Sequence, residues 1–183
     1  MIPSLRDRLG SSLGLLYRRW ATARARDGVG AVLRAARATM LRKRYCLLVT
    51  LADGVAHARV LEPFPPDDDF TVWLGTSRGS RKVEQLRKDP AATLAYQDDA
   101  RGACAVLVGR AEIVEGVSER RRRFKPFWRA FWPEGPDGAE FVLVRFRPER
   151  IEVWDGWRGV TPAPFGQRSA MIARAPDGAW RSA

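Results

Sequence analysis

Residues 76–82 read Thr-Ser-Arg-Gly-Ser-Arg-Lys, three hydroxyls and a glycine leading into two adjacent cations. A turn of that composition running into a helix suits a phosphate. Free N–H groups of the first turn, the positive end of the helix dipole, hydroxyl donors and fixed charge would converge on an anion there. Residues 81–88 supply the helix, stopped by Asp89-Pro90. The same residues have a plainer reading, in which Ser80 caps the helix and Arg81 and Lys82 are solvated. What surrounds the turn decides between the two.

The surroundings are mostly strands. Short β-type runs occupy residues 45–51, 55–61, 70–75, 92–97, 103–114, 141–146 and 150–154, the first two joined at Asp53-Gly54 as a hairpin. Pro63, Pro65, Pro66 and the acidic run Asp67 to Asp69 make a loop. Alternation along 55–61 puts Val55, His57, Arg59 and Leu61 on one face, so the single histidine stands near a cation. A structural, partly buried role is the simplest one for His57. Residues 117–132 have a helical pattern interrupted at Pro126. There Phe124, Phe127, Trp128, Phe131 and Trp132 are spaced to point inward, with Arg120 to Arg123 solvated. Residues 156–183, with three prolines and four glycines, read as irregular. Six or seven short antiparallel strands with inserted helices predict an α+β, mainly β fold built as a small barrel.

The front of the chain differs from this body. Ile2, Leu5, Leu9, Leu13, Leu16, Tyr17 and Trp20 recur at three- and four-residue steps, with Arg6, Arg8, Arg18 and Arg19 off that stripe. This predicts a helix packed on the body or on a partner subunit; the same pattern also suits a helix lying on an anionic membrane. Residues 21–30 read as a break and 31–42 as a second, Ala- and Leu-rich helix. The organisation expected is a basic helical leader over 1–30, a barrel domain over 31–156 and a tail over 157–183.

At 183 residues and 45% hydrophobic composition the chain can build a core without staples, and it is not a disordered or low-complexity protein. Its net charge of +11 is unevenly placed: residues 1–44 hold eleven basic side chains against two acids, and the rest is close to neutral. Two cysteines and one histidine are too few for a disulfide framework or a structural zinc site. Without a signal-like or membrane-spanning apolar run, the cytoplasm is the expected location.

In order, the chain presents His57-Ala58-Arg59, a Pro-rich loop, Trp73-Leu74-Gly75-Thr76, Ser80-Arg81-Lys82-Val83, the Asp89-Pro90 stop, a strand ending at Gln97, Val108-Gly109-Arg110-Ala111-Glu112, and Glu152-Val153-Trp154-Asp155. Over about residues 35–156 this resembles the pyridoxamine 5'-phosphate oxidase-like FMN-binding proteins, in particular the general stress protein branch. The resemblance implies a split β-barrel homodimer with FMN at the subunit interface. It implies that Arg59, Thr76, Ser77, Arg81 and Lys82 surround the phosphate and that backbone at Val60, Leu61, Leu74 and Gly75 faces the ring. Gln97 and Trp154 would close over the ring from the other subunit. The implied activity is that of a flavin-dependent oxidoreductase of unidentified substrate, with no particular catalytic residue. A deazaflavin-dependent enzyme of the same fold is a variant of that reading, since a longer acidic cofactor tail would find the basic leader attractive. Pyridoxal phosphate synthesis is not expected: pyridoxamine phosphate oxidases close with an arginine- and histidine-bearing segment, and here Asp155-Gly156-Trp157-Arg158-Gly159-Val160 has no histidine. The rival from another class is a non-redox module whose basic leader and Arg120 to Arg123 contact nucleic acid or anionic lipid, a salt-sensitive association.

Overall fold

Asp53 and Gly54 both take positive φ, 51° and 74°, the mirror-image turn whose twist matches that of paired strands. They join β1 (Cys46–Ala52) to β2 (Val55–Leu61) in a register running from Cys46 opposite Leu61 to Ala52 opposite Val55. The hairpin belongs to a computed structural model that describes residues 5–26, 28–161 and 168–183, with side chains at residue 10 and from residue 12 onward within those ranges. Two helices precede it, α1 (Leu5–Arg24) and α2 (Val29–Arg42). After it come β3 (Val72–Ser77), α3 (Arg81–Lys88), β4 (Ala91–Asp98), β5 (Ala103–Val114), α4 (Val117–Arg123), β6 (Phe141–Asp155), β7 (Ala170–Arg174) and β8 (Trp180–Ser182).

All pairings are antiparallel, in the order β2-β1-β4-β5-β6-β7-β8, with β3 on β6. The chain after β2 touches β3 through a lone bridge between Pro63 and Leu74. The sheet therefore curls without closing, which is the split barrel expected. It has eight strands among the described residues where six or seven were expected, and the difference has two sources. Residues 141–146 and 150–154 belong to one strand, because Pro148 lies opposite Gly109 where the register shifts. A bulge is where a strand tolerates a residue with no N–H to donate. The tail, expected to be irregular, adds β7 along the second half of β6 and β8 beyond it.

Side-chain alternation sorts the sheet into two faces. Leu48, Leu94, Leu107, Ile151 and Ile172 point inward onto Val32, Ala35, Ala36 and Met40 of α2, forming the main core. Trp73, Phe141 and Leu143 point the other way and meet Trp128 in a smaller aromatic core. That second core corrects the reading of residues 117–132. Helix α4 ends at Arg123 and Pro126–Ala130 is a 3-10 turn, so the rotation per residue changes and the aromatic stripe splits. Trp128 is buried, whereas Phe127 and Phe131 are 76% and 65% exposed and pack edge-on against each other. Arg120, expected in solvent, is buried and donates to the carbonyls of Gly138 (2.6 Å) and Phe141 (3.0 Å). At the front, α1 runs through to Arg24, past the break expected at residue 21. Its Leu13, Leu16, Tyr17 and Trp20 are exposed rather than packed on the body; Ile2 and the side chains of Leu5, Leu9, Arg6 and Arg8 lie outside the described residues.

Gly109 is required where it stands, since a Cβ there would collide with the Arg147 carbonyl and Pro148 Cα. Gly109→Ala is expected to lower stability by about 1–3 kcal/mol, read from the urea midpoint. An unchanged midpoint would mean that the β5–β6 bulge relaxes freely.

Candidate functional site

Where β2 and β3 part, three cations gather. Arg59 projects inward from β2, level with Leu48 of β1. Its guanidinium donates to Thr50 Oγ1 (2.6 Å), Gln85 Oε1 (2.8 Å) and the Leu48 carbonyl (3.4 Å). Thr50, itself fully buried, donates to the same Gln85 oxygen at 2.7 Å. Lys82, in the first turn of α3, donates to Thr76 Oγ1 at 2.9 Å, and that hydroxyl lies 3.4 Å from Ser80 Oγ. Arg81 is beside them on the exposed side of α3.

The charge on these groups is not neutralised. Among the described residues none of Arg59, Arg81 and Lys82 forms an ion pair, whereas the nearby acid Glu84 pairs with Lys88 at 3.3 Å. Burial, and after it the charge of Arg81, lowers the proton affinity of Arg59; burial, and after it Arg59, lowers that of Lys82. The helix start is also open. Ser80 occupies the N-cap position with extended backbone, but its side chain makes no capping hydrogen bond, so the plainer reading of this turn fails in that respect. A pocket that holds like charges together and leaves helix N–H groups uncapped is arranged for an anion. It opens on a cleft of about 520 Å³ between the β1–β2 hairpin and α3, lined by Leu51 to Gly54, half-buried His57, Arg81, Glu84, Gln85, Lys88 and Asp89.

The structure divides the site residues expected from the sequence. Arg59, Thr76, Arg81 and Lys82 come together. Ser77, next to Thr76 in sequence, points to the opposite face of β3 and accepts a hydrogen bond from Trp132 Nε1 at 3.1 Å, so its hydroxyl is not part of the cation cluster. Leu74 is fully buried in the main core. Gly75 lies beneath Trp128, whose ring carbons would stand 2.6 Å from a Cβ. Leu61 is half-buried beside the main core, while Val60 is 61% exposed on the outer face of the hairpin. Gln97 and Trp154 share a rung through Cys104. They point outward, on the face opposite Arg59, with Gln97 donating to Asp99 at 2.7 Å. Thr50 and Gln85, which seat Arg59, are the participants that sequence reasoning missed. Their signals were a polar residue at an inward β1 position and a glutamine one helical turn after Arg81.

The family model described as pyridoxamine 5'-phosphate oxidase like matches residues 35–174. The chain belongs to that family. No curated protein matches it. Among solved structures, this pyridoxamine 5'-phosphate oxidase-like chain is similar to general stress protein 26 of Bacillus anthracis, at 18% identity and TM-score 0.57, covering 66% of this chain and 91% of that one. It is also similar to a protein related to general stress protein 26 from Clostridium acetobutylicum (20% identity, TM-score 0.61, 68% and 87% covered). A third likeness is to a pyridoxamine 5'-phosphate oxidase-related, FMN-binding protein of Nostoc punctiforme (17% identity, TM-score 0.58, 85% and 94% covered). At such identities the likeness is one of fold.

The like-charge cluster has a consequence for stability. Lys82 holds its proton less tightly in the folded than in the unfolded chain. Between its lowered folded value and the ordinary 10.5 the unfolded chain therefore binds more protons, and stability of the ligand-free protein rises with pH. Lys82→Met should raise the urea midpoint at neutral pH and flatten that rise, the two proteins converging above 10.5. A lower midpoint at neutral pH would show that the Lys82–Thr76 hydrogen bond outweighs the repulsion.

Proposed function

We propose that the chain binds flavin mononucleotide as a homodimer and serves as a flavin-dependent oxidoreductase. The observation that carries this reading is the group of three cations without a carboxylate partner among the described residues, at the open edge of a split barrel. The phosphate dianion of FMN fits the donor set: Arg59, already oriented by the neutral acceptors Thr50 and Gln85, keeps its charge for the ligand. Lys82 and Thr76 offer an ammonium and a hydroxyl 2.9 Å apart, and Arg81 closes the outer side. When bound, FMN would supply the hydride- and electron-accepting chemistry. The protein would contribute position, charge neutralisation and exclusion of water.

The second subunit is supported by the outer face of the sheet. There Leu47 (41% exposed), Leu51 (43%) and Val60 (61%) adjoin half-buried Val49, Ala95 and Val106. An apolar sheet face left bare in one chain favours burial against a second copy, and Gln97 and Trp154 lie on that same face. Their placement suits an approach to the partner's flavin ring and not to the cation cluster of their own chain. A reducing, cytoplasmic setting goes with the two free cysteines.

A pyridoxal phosphate synthase reading is disfavoured. In the 155–160 segment Arg158 donates its Nη1 to buried Asp155 at 2.8 Å, so its charge is committed within the turn. A deazaflavin reading shares the phosphate site and is favoured by one feature, the cleft continuing past Arg81 to His57 and Lys88. A longer acidic cofactor tail could occupy it.

Absorption of the freshly purified protein, with the bound ligand identified by mass, distinguishes the two cofactors; a colourless protein that takes up neither would overturn both readings. Replacing Arg81 and Lys82 together by alanine should weaken FMN about 100-fold, as loss of two charge-assisted contacts implies, and leave riboflavin nearly unchanged. Equal loss for both would mean that these residues act through folding.

A further inference from the structure

Helix α1 carries an apolar stripe that no other described part of the chain covers. Leu13, Leu16, Tyr17 and Trp20 share one side of the helix and are exposed by 66%, 61%, 58% and 50%. Ala21 is the one buried residue among the described side chains of α1, and no other element packs extensively on this helix. Its attachment is at the C-terminal end. Arg24 Nη2 donates to the Trp157 carbonyl at 3.3 Å and the Arg26 N–H to the Gly159 carbonyl at 2.8 Å. Gly159, at φ 68°, admits the Arg24 backbone into the space a Cβ would fill. Arg24 also stacks on Trp20 at 4.9 Å, and Trp157, whose carbonyl it reaches, is 67% exposed.

The positive charge of the front end separates broadly along the same line, with Arg34 of α2 the exception, unpaired among the described residues. Arg37, Arg42, Lys43 and Arg44, on and just after α2, pair with Asp68, Asp98 and Glu62. Arg19, Arg24 and Arg26 have no carboxylate partner among the described residues. Exposed leucine, tyrosine and tryptophan beside unpaired arginine match the chemistry of a bilayer's headgroup boundary, where indoles and guanidinium groups both find partners. A second copy packed there would bring together two front ends that each carry eleven basic side chains against two acids. Nucleic acid would answer the charge and leave the apolar stripe without a use. No helix among the described residues is long and apolar enough to cross a membrane, so contact would be in the plane of the surface.

We propose that α1 is a docking helix for an anionic lipid surface. Leu13, Leu16, Tyr17 and Trp20 enter the headgroup–acyl boundary while Arg19 and Arg24 meet lipid phosphates. The proposal does not rest on the flavin reading. It is tested by flotation of the full chain with vesicles of phosphatidylcholine containing about 30% phosphatidylglycerol, an anionic content that gives a negative surface potential. Binding is expected to be at least about tenfold weaker on phosphatidylcholine alone and to fall as salt is raised. The triple variant Leu13→Gln, Leu16→Gln, Trp20→Gln should lose about tenfold or more of the binding. Its urea midpoint should stay unchanged, since the stripe covers no core residue. Three results would overturn the proposal. The first is absence of flotation with the anionic vesicles, or flotation undiminished in the variant. The second is light scattering in which the variant dissociates to a smaller species than the parent, which would assign the stripe to a second copy. The third is a DNA duplex that displaces the protein from vesicles at physiological salt, which would assign the charge to nucleic acid.

Discussion

Like charges do not gather in a half-buried cluster unless something else holds them, and here neutral acceptors do. Arg59 is fastened by Thr50, Gln85 and a backbone carbonyl. The usual partner for a half-buried guanidinium would be a carboxylate, which would consume its charge. A hydroxyl and an amide oxygen satisfy the donors and leave the net charge in place. Much of the fold serves this arrangement. The tight hairpin turn sets the register that brings Arg59 beside Leu48 and Thr50, and α3 must lie close enough for Gln85 to reach both side chains. β3 must end where Thr76 can meet Lys82. The energetic cost of gathering three cations is what an incoming anion would relieve.

Period-two alternation is the second constraint, because it separates residues that are neighbours in sequence. Thr76 and Ser77 are adjacent hydroxyls, but one meets Lys82 and the other meets Trp132. Arg59 and Val60 divide likewise between the cation pocket and the bare outer face. The sheet thus presents an electrostatic site inward and an apolar surface outward within a few residues of chain. Trp128 over Gly75 and the buried Arg120 secure β3 and β6 from the other side. The segment between β5 and β6 is thereby part of the support for the site.

Much of the architecture was legible where local chemistry is strong. Asp53-Gly54 announced the hairpin, and residues 103–114 form the strand their alternation predicts. Legibility failed where pairing partners override local signals. Pro148 looks like a break between two strands because its lack of an N–H is visible in sequence, while the bulge opposite Gly109 that accommodates it is not. The strands at Ala170–Arg174 and Trp180–Ser182 sit among prolines and glycines; the first is stabilised by an edge of β6 whose availability no local pattern reveals, and the second by the first. Arg120 to Arg123 read as one solvated run, but the path of the loop around Gly138 buries the first of them and the last stacks on Trp73, largely covered. A change from α to 3-10 rotation at Pro126 redistributed the aromatic side chains that even spacing had placed on one side.

The sequence by itself determined the types of group available and their order along the chain. These are a hydroxyl- and cation-bearing turn before a short helix, an arginine on the inward phase of a hairpin, and a surplus of arginine at the front. Those follow from side-chain chemistry and from periodicities that persist over a few residues. Only the tertiary structure decided which cations keep their charge, because that depends on whether a carboxylate lies within about 4 Å, the reach of an ion pair. It joined Arg59 to Gln85 across 26 positions of sequence. It also left the stripe of α1 uncovered among the described residues, since whether an amphipathic stripe is buried depends on where the rest of the chain goes.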